Sequence, residues 1–129
     1  MKAQSKFYMD CHLAGRKYHD ADLVWDRLRI GMPLCLEREA DIRYDPEAVQ
    51  VILNSDGGDF LLGYIPRGEN QRIAPFFDMG HDNLFECRIN RINPEAHPEE
   101  QVQLTVRILP RNDQELAKKI ENGNEHFAK

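Results

Sequence analysis

Six short apolar-rich stretches, each closed off by glycine, proline or an Asp/Asn-containing turn, constrain this chain more than any other feature. They fall at residues 6–13, 33–38, 48–54, 60–65, 84–92 and 101–109. In the first, Phe7, Met9, Cys11 and Leu13 share one face, while Tyr8, Asp10 and His12 share the other. That two-residue period marks a strand with one side in a core and one in water. Residues 84–92 and 101–109 alternate in the same way. Between 48–54 and 60–65 lies Ser55-Asp56-Gly57-Gly58-Asp59, a strong hairpin turn. Gly15 and Gly63 are placed where a bend or a close strand approach is needed.

Helical signals are few. Residues 20–29 read as a short helical turn, with Asp20 and Asp22 as N-cap candidates. Residues 68–78 suggest a short helix carrying Ile73, Phe76 and Phe77 inward, although Pro75 interrupts it. After Pro110, an Asn/Asp cap, a nearby glutamate, then Lys118 and Lys119 before Gly123 predict a C-terminal helix over 112–122. The expected class is therefore mostly β with minor α: a small β-barrel or strongly curled sheet of six strands, with one or two flanking short helices. With 129 residues there is room for one domain, expected at 1–111, followed by the helix and tail at 112–129.

Charge narrows the function. The chain has 17 basic and 22 acidic residues, a net charge of −5. Four acids and four bases after residue 110 cancel, so the barrel region carries the whole −5. Such a balance argues against coating long nucleic acid or anionic membrane through bulk charge. No apolar run is long enough for a membrane span, and the N-terminus lacks the apolar core of a secretion signal. Cys11, Cys35 and Cys87 are odd in number and set in apolar alternation. They read as reduced core thiols of a cytoplasmic protein. There is no CxxC or HxxxH spacing, no GxSxG elbow, and no GxGxxG or GxxxxGK[ST] cradle. No enzyme chemistry, metal or cofactor is therefore expected.

Three segments stand out together: LAGRKYHD at 13–20, LCLEREADIRYDPEAVQV at 34–51 and LLGYIPR at 61–67. In this order they resemble the HIRAN domain, known from Swi/Snf-type DNA translocases and from small stand-alone bacterial proteins. The resemblance covers residues 6 to 109. It implies an OB-like barrel without catalytic activity. It further implies binding to the 3′ end of single-stranded DNA with a free 3′-hydroxyl, in DNA repair or replication-fork processing. Carried over by position, the basic-aromatic-aromatic stretch corresponds to Lys17, Tyr18 and His19. The Tyr-Asp pair corresponds to Tyr44 and Asp45, and the later basic residue to Arg67. Arg43 and Arg16 stand beside these and are candidates to assist.

The chemistry of these types is coherent. A carboxylate accepts a hydrogen bond from a 3′-hydroxyl and repels a 3′-phosphate. Tyrosine faces stack terminal bases for about 1–3 kcal/mol each. Lys17, Arg43 and Arg67 can neutralise the one or two phosphates that an end site holds. The residues alone also allow plainer roles, with Tyr44 a packed rim tyrosine and Asp45 a turn former before Pro46. The chain departs from relatives at His19, which stands in place of an aromatic, and at the loop 95–101, which contains His97 but no Phe, Tyr or Trp. An acidic surface with a C-terminal helix leaves a second expectation open: a protein partner or homo-oligomer on the same barrel.

Overall fold

Most side chains that alternate in the sequence alternate in the structure: Met9, Cys11 and Leu13 are buried, as are Val102, Leu104 and Val106. Phe7, expected on the same face, is 58% exposed, because the register shift between Phe7 and Met9 breaks the two-residue period there. The computed structural model describes residues 4–39, 43 and 45–111. Six strands form: β1 (Lys6–His12), β2 (Pro33–Arg38), β3 (Val49–Ser55), β4 (Gly58–Tyr64), β5 (Phe85–Ile92) and β6 (Val102–Ile108). They make one antiparallel sheet in the order β1-β6-β5-β2-β3-β4. Register shifts at Phe7/Met9, Val51/Ile52 and Ile89/Arg91 insert bulges. A bulge bends its strand and raises the local twist, so the sheet curls around one core. That core draws on every strand, with Met9, Leu36, Val51, Leu62, Ile89 and Leu104 among its members.

The mostly β expectation holds, and the barrel is loose. β1 and β4 are the sheet's edges, joined by no continuous ladder. One isolated bridge, Ala14 to Tyr64, ties them at a single point.

Four further details differ from the sequence expectations. The hairpin is tighter than predicted: β3 runs through Ser55 and β4 starts at Gly58, whose φ of 124° suits only glycine. Residues Asp20–Arg27 form a 3-10 helix whose N-cap is His19, with no side-chain cap bond from Asp20 or Asp22. The predicted helix over 68–78 splits into a 3-10 turn, Asn70–Arg72, and α1, Ala74–Asp78, with Pro75 in the first turn of α1. Proline has no N–H to continue a ladder from the preceding turn, which accounts for the split. Ile73 is fully buried there, but Phe76 is 37% exposed and meets Phe85 edge-on, with ring centroids 5.6 Å apart.

Two of the thiols, Cys11 and Cys87, are buried and free. Burial pushes the Cys11 thiol up to about 12 and raises Cys87 as well. The predicted C-terminal helix at 112–122 lies outside the described residues. Among the described residues, no helix is long and apolar enough to cross a membrane.

Candidate nucleic-acid interface

The three motif segments meet at the corner where the sheet's edges approach, and Tyr64 is the residue on which they converge. Its main chain exchanges two hydrogen bonds of 2.9 Å with Ala14, which brings the first segment to the third. Its ring meets His19 edge-on at 5.2 Å. Its hydroxyl donates to Glu39 Oε2 at 2.6 Å, tying in the second segment. Burial, then the bond to Glu39, raises the Tyr64 phenol above its usual range. Next along the chain, the Ile65 amide donates to the Val49 carbonyl at 3.0 Å.

Gly63 makes this closure possible. A Cβ there would lie 2.4 Å from the Ala14 carbonyl oxygen and 2.9 Å from Leu13 Cδ1. Only glycine lets the two edges come this near.

Gly15, with φ of 70°, turns the chain out of the bridge into the 3-10 turn Arg16–Tyr18. A 3-10 turn has three residues per turn, so neighbouring side chains point about 120° apart. Arg16 consequently goes in, and Lys17 and Tyr18 go out. Arg16 is 7% exposed, whereas Tyr18 is 80% exposed. Arg16 forms an ion pair with Asp22, donates to Gln101 Oε1 at 2.8 Å, and lies 4.3 Å over the Trp25 ring. Its Nε has no partner among the described residues. Arg16 is therefore a structural cation and not the assisting surface charge expected for it. His19 is half-buried between Gly15 and Tyr64, so it packs against the corner instead of presenting a free face.

Asp45 is half-buried, and both carboxylate oxygens are held. Oδ1 accepts the Glu47 amide at 3.1 Å, the Asx-type turn that Asp45-Pro46 predicts. Oδ2 accepts from Asn70 Nδ2 at 2.8 Å. Asn70 is 1% exposed, and its own amide bonds the Pro66 carbonyl. Arg67 lies in the turn between those two residues and is exposed. Arg38 braces the turn that follows Asp45. It donates to the Pro46 and Ala48 carbonyls at 2.7 and 2.9 Å and pairs with Asp78. That pairing lowers the Asp78 carboxyl and raises the Arg38 guanidinium.

A carboxylate has about four lone-pair sites, so two bonds leave Asp45 acceptor capacity for a ligand hydroxyl. The turn-forming role and a ligand-binding role are thus compatible. Arg43 is exposed at a bend, and Tyr44 lies outside the described residues. Of the acidic neighbours, Glu39 is engaged by Tyr64. Among the described residues, no group of three or more His, Cys, Asp or Glu is gathered to hold a metal.

Residues 6–109 match the family described as the HIRAN domain. This chain belongs to the HIRAN domain family. The HIRAN domain of human HLTF superposes with a TM-score of 0.57 at 15% identity, covering 91% of this chain and 89% of that one. A crystal structure of a protein from Lactobacillus plantarum, a structural genomics target, gives a TM-score of 0.67 at 24% identity, covering 83% and 97%. At these identities the likeness to both structures is one of fold. No curated protein sequence matches the chain. Membership of the HIRAN family implies nucleic-acid binding by a generally non-catalytic module.

Tyr64, Asn70, Gln101 and Glu99 are not among the residues that the sequence marks individually as site candidates. Tyr64 stood inside the LGYIPR block and was readable as part of the motif. The other three act through contacts dozens of residues away, for which the sequence holds no local signal.

Proposed function

We propose that this HIRAN domain is a non-enzymatic module that binds single-stranded DNA ends carrying a free 3′-hydroxyl. The carrying observation is the Asp45 carboxylate, fixed by Asn70 and the Glu47 amide at the corner where the three motif segments converge. Asp45 accepts the terminal hydroxyl, and its charge disfavours a 3′-phosphate. Tyr18, the most exposed large aromatic among the described residues, supplies a base-stacking face, and Tyr44 supplies the second. Lys17, Arg43 and Arg67 neutralise backbone phosphates. Because the end site holds only two or three nucleotides, an acidic domain can carry it.

The test is fluorescence anisotropy with oligonucleotides ending in 3′-hydroxyl or 3′-phosphate. Micromolar binding with preference for the hydroxyl end is expected, lost in Asp45→Ala. A salt slope of about −0.7 per phosphate contacted, from two or three contacts, should accompany it. Equal affinity for both ends, or undiminished preference in Asp45→Ala, overturns the reading. The exposed Leu23, Ile30 and Met79 support a second reading, a protein-interaction or self-association module. It predicts no DNA binding and a mass that grows with protein concentration.

A further inference from the structure

The loop between β5 and β6 leads into β6, the neighbour of β1, and so lies beside the segment after β1 that carries Lys17 and Tyr18. Glu99 accepts the Gly15 amide on both carboxylate oxygens, at 3.0 and 3.1 Å. Two residues on, Gln101 accepts from Arg16 at 2.8 Å. Gln101 is itself held in place, donating to the Pro94 and Ala96 carbonyls at 3.1 Å each. Adjacent residues of the 15–19 segment are thus gripped by two residues of one loop, more than 80 positions away. Beyond the grip, Lys17 and Tyr18 are exposed.

Lys17 and Tyr18 project from a three-residue turn anchored only at its inner side, through Gly15 and Arg16, so their order depends on how firmly those two residues are held. A flexible arm loses ordering entropy when it binds, and a pre-organised one does not. Glu99 is also an odd residue to place beside a site for a polyanion unless its carboxylate has another task. The relevant loop is the one that lacks an aromatic in this chain.

We propose that Glu99 and Gln101 are positioning residues that clasp Gly15 and Arg16 and so pre-organise the Lys17–Tyr18 arm for its ligand. This rests on the proposed single-stranded DNA reading.

The sign of one substitution separates the clasp from simple charge. Removing a carboxylate near a polyanion site should strengthen binding if only electrostatics count. Glu99→Ala should instead weaken binding of a 3′-hydroxyl oligonucleotide about 5- to 10-fold, an effect of the size that losing pre-organisation gives. Glu99→Gln keeps an acceptor for the Gly15 amide and should bind at least as well as the natural protein. In a Tyr18→Ala background, Glu99→Ala should have little further effect. Glu99→Ala that binds as tightly as the natural protein, or tighter, overturns the proposal.

Amide hydrogen exchange tests the clasp without DNA. Exchange at Gly15 and Tyr18 should speed up about 10-fold or more in Glu99→Ala and Gln101→Ala, while β3 and β6 stay protected. Unchanged exchange there overturns the clasp. Should the natural protein bind no DNA end, the functional reading falls while the exchange result still decides whether the clasp exists.

Discussion

Gly63→Ala tests the closure on which the whole corner depends. The added Cβ would lie 2.4 Å from the Ala14 carbonyl oxygen. Ordinary C···O approaches between strands are about 3.3 Å or more, so the two edges must separate by nearly an ångström. The nearest atoms are a backbone carbonyl and the branched end of a buried leucine, and neither can swing aside. Separation lengthens both Ala14–Tyr64 hydrogen bonds, now 2.9 Å each. Two such bonds are worth about 1–3 kcal/mol together. Overpacking against Leu13, which is fully buried, adds about 1–3 kcal/mol. The expected loss is roughly 2–6 kcal/mol, a large share of a small domain's stability. With a slope of about 2 kcal/mol/M, urea unfolding should show a midpoint lowered by about 1–3 M with that slope unchanged. Gly57→Ala is the control, since its Cβ meets only Ser55 Oγ at 4.0 Å. It should shift stability by less than about 0.5 kcal/mol. A Gly63→Ala protein as stable as the Gly57→Ala control would refute the close-approach reasoning.

Three further outcomes are expected. Asn70→Ala should cost about 1–3 kcal/mol, because it frees the Asp45 carboxylate and leaves a cavity at a buried site; it should also erase the preference for 3′-hydroxyl over 3′-phosphate ends, measured by anisotropy. Tyr64→Phe should cost roughly 1 kcal/mol in urea unfolding through the lost bond to Glu39, while its ring keeps His19 in place. Stability should fall with alkaline pH: the Cys11 thiol is raised from 9.0 to about 12 by burial, so above pH 9 the unfolded chain ionises first and is stabilised relative to the folded one. Below pH 9 that contribution is complete, and it erodes up to about pH 12. The raised Tyr64 phenol adds in the same direction above about pH 10. Each pH step of one through that window removes up to about 1.4 kcal/mol per group, so a urea midpoint that stays flat between about pH 8 and pH 10.5 would contradict this.

Strand identity was legible because it is local. β2 runs over Pro33–Arg38, the predicted bounds, and Val102, Leu104 and Val106 point inward as their spacing required. The site was legible only in part. Lys17, Tyr18, Asp45 and Arg67 were singled out by type and order; the fold leaves Lys17, Tyr18 and Arg67 exposed and Asp45 half-buried, and their binding role is the proposal tested above. Arg16 was not distinguishable from Lys17 beside it. One cation is buried over Trp25 and the other is exposed because a tight turn rotates neighbours apart, and no property of the two side chains predicts which goes in. Phe76 fails in the same way, since Pro75 resets the helix and its facing with it.

The amino-acid pattern by itself determined that this chain is mostly β, with six short strands and a net charge of −5. Periodicity, turn residues and net charge are properties of neighbours or of sums, so they can be read without a fold. Only the tertiary structure decided that Gly63 lets the sheet's edges touch, that Tyr64 gathers three distant segments, and that Asn70 and Glu99 hold Asp45 and Gly15 from 25 and 84 residues away. Those contacts exist because a bulged, curled sheet brings its ends together in space. Which side chains then meet depends on the curvature and closure of the whole, which no short window of sequence contains.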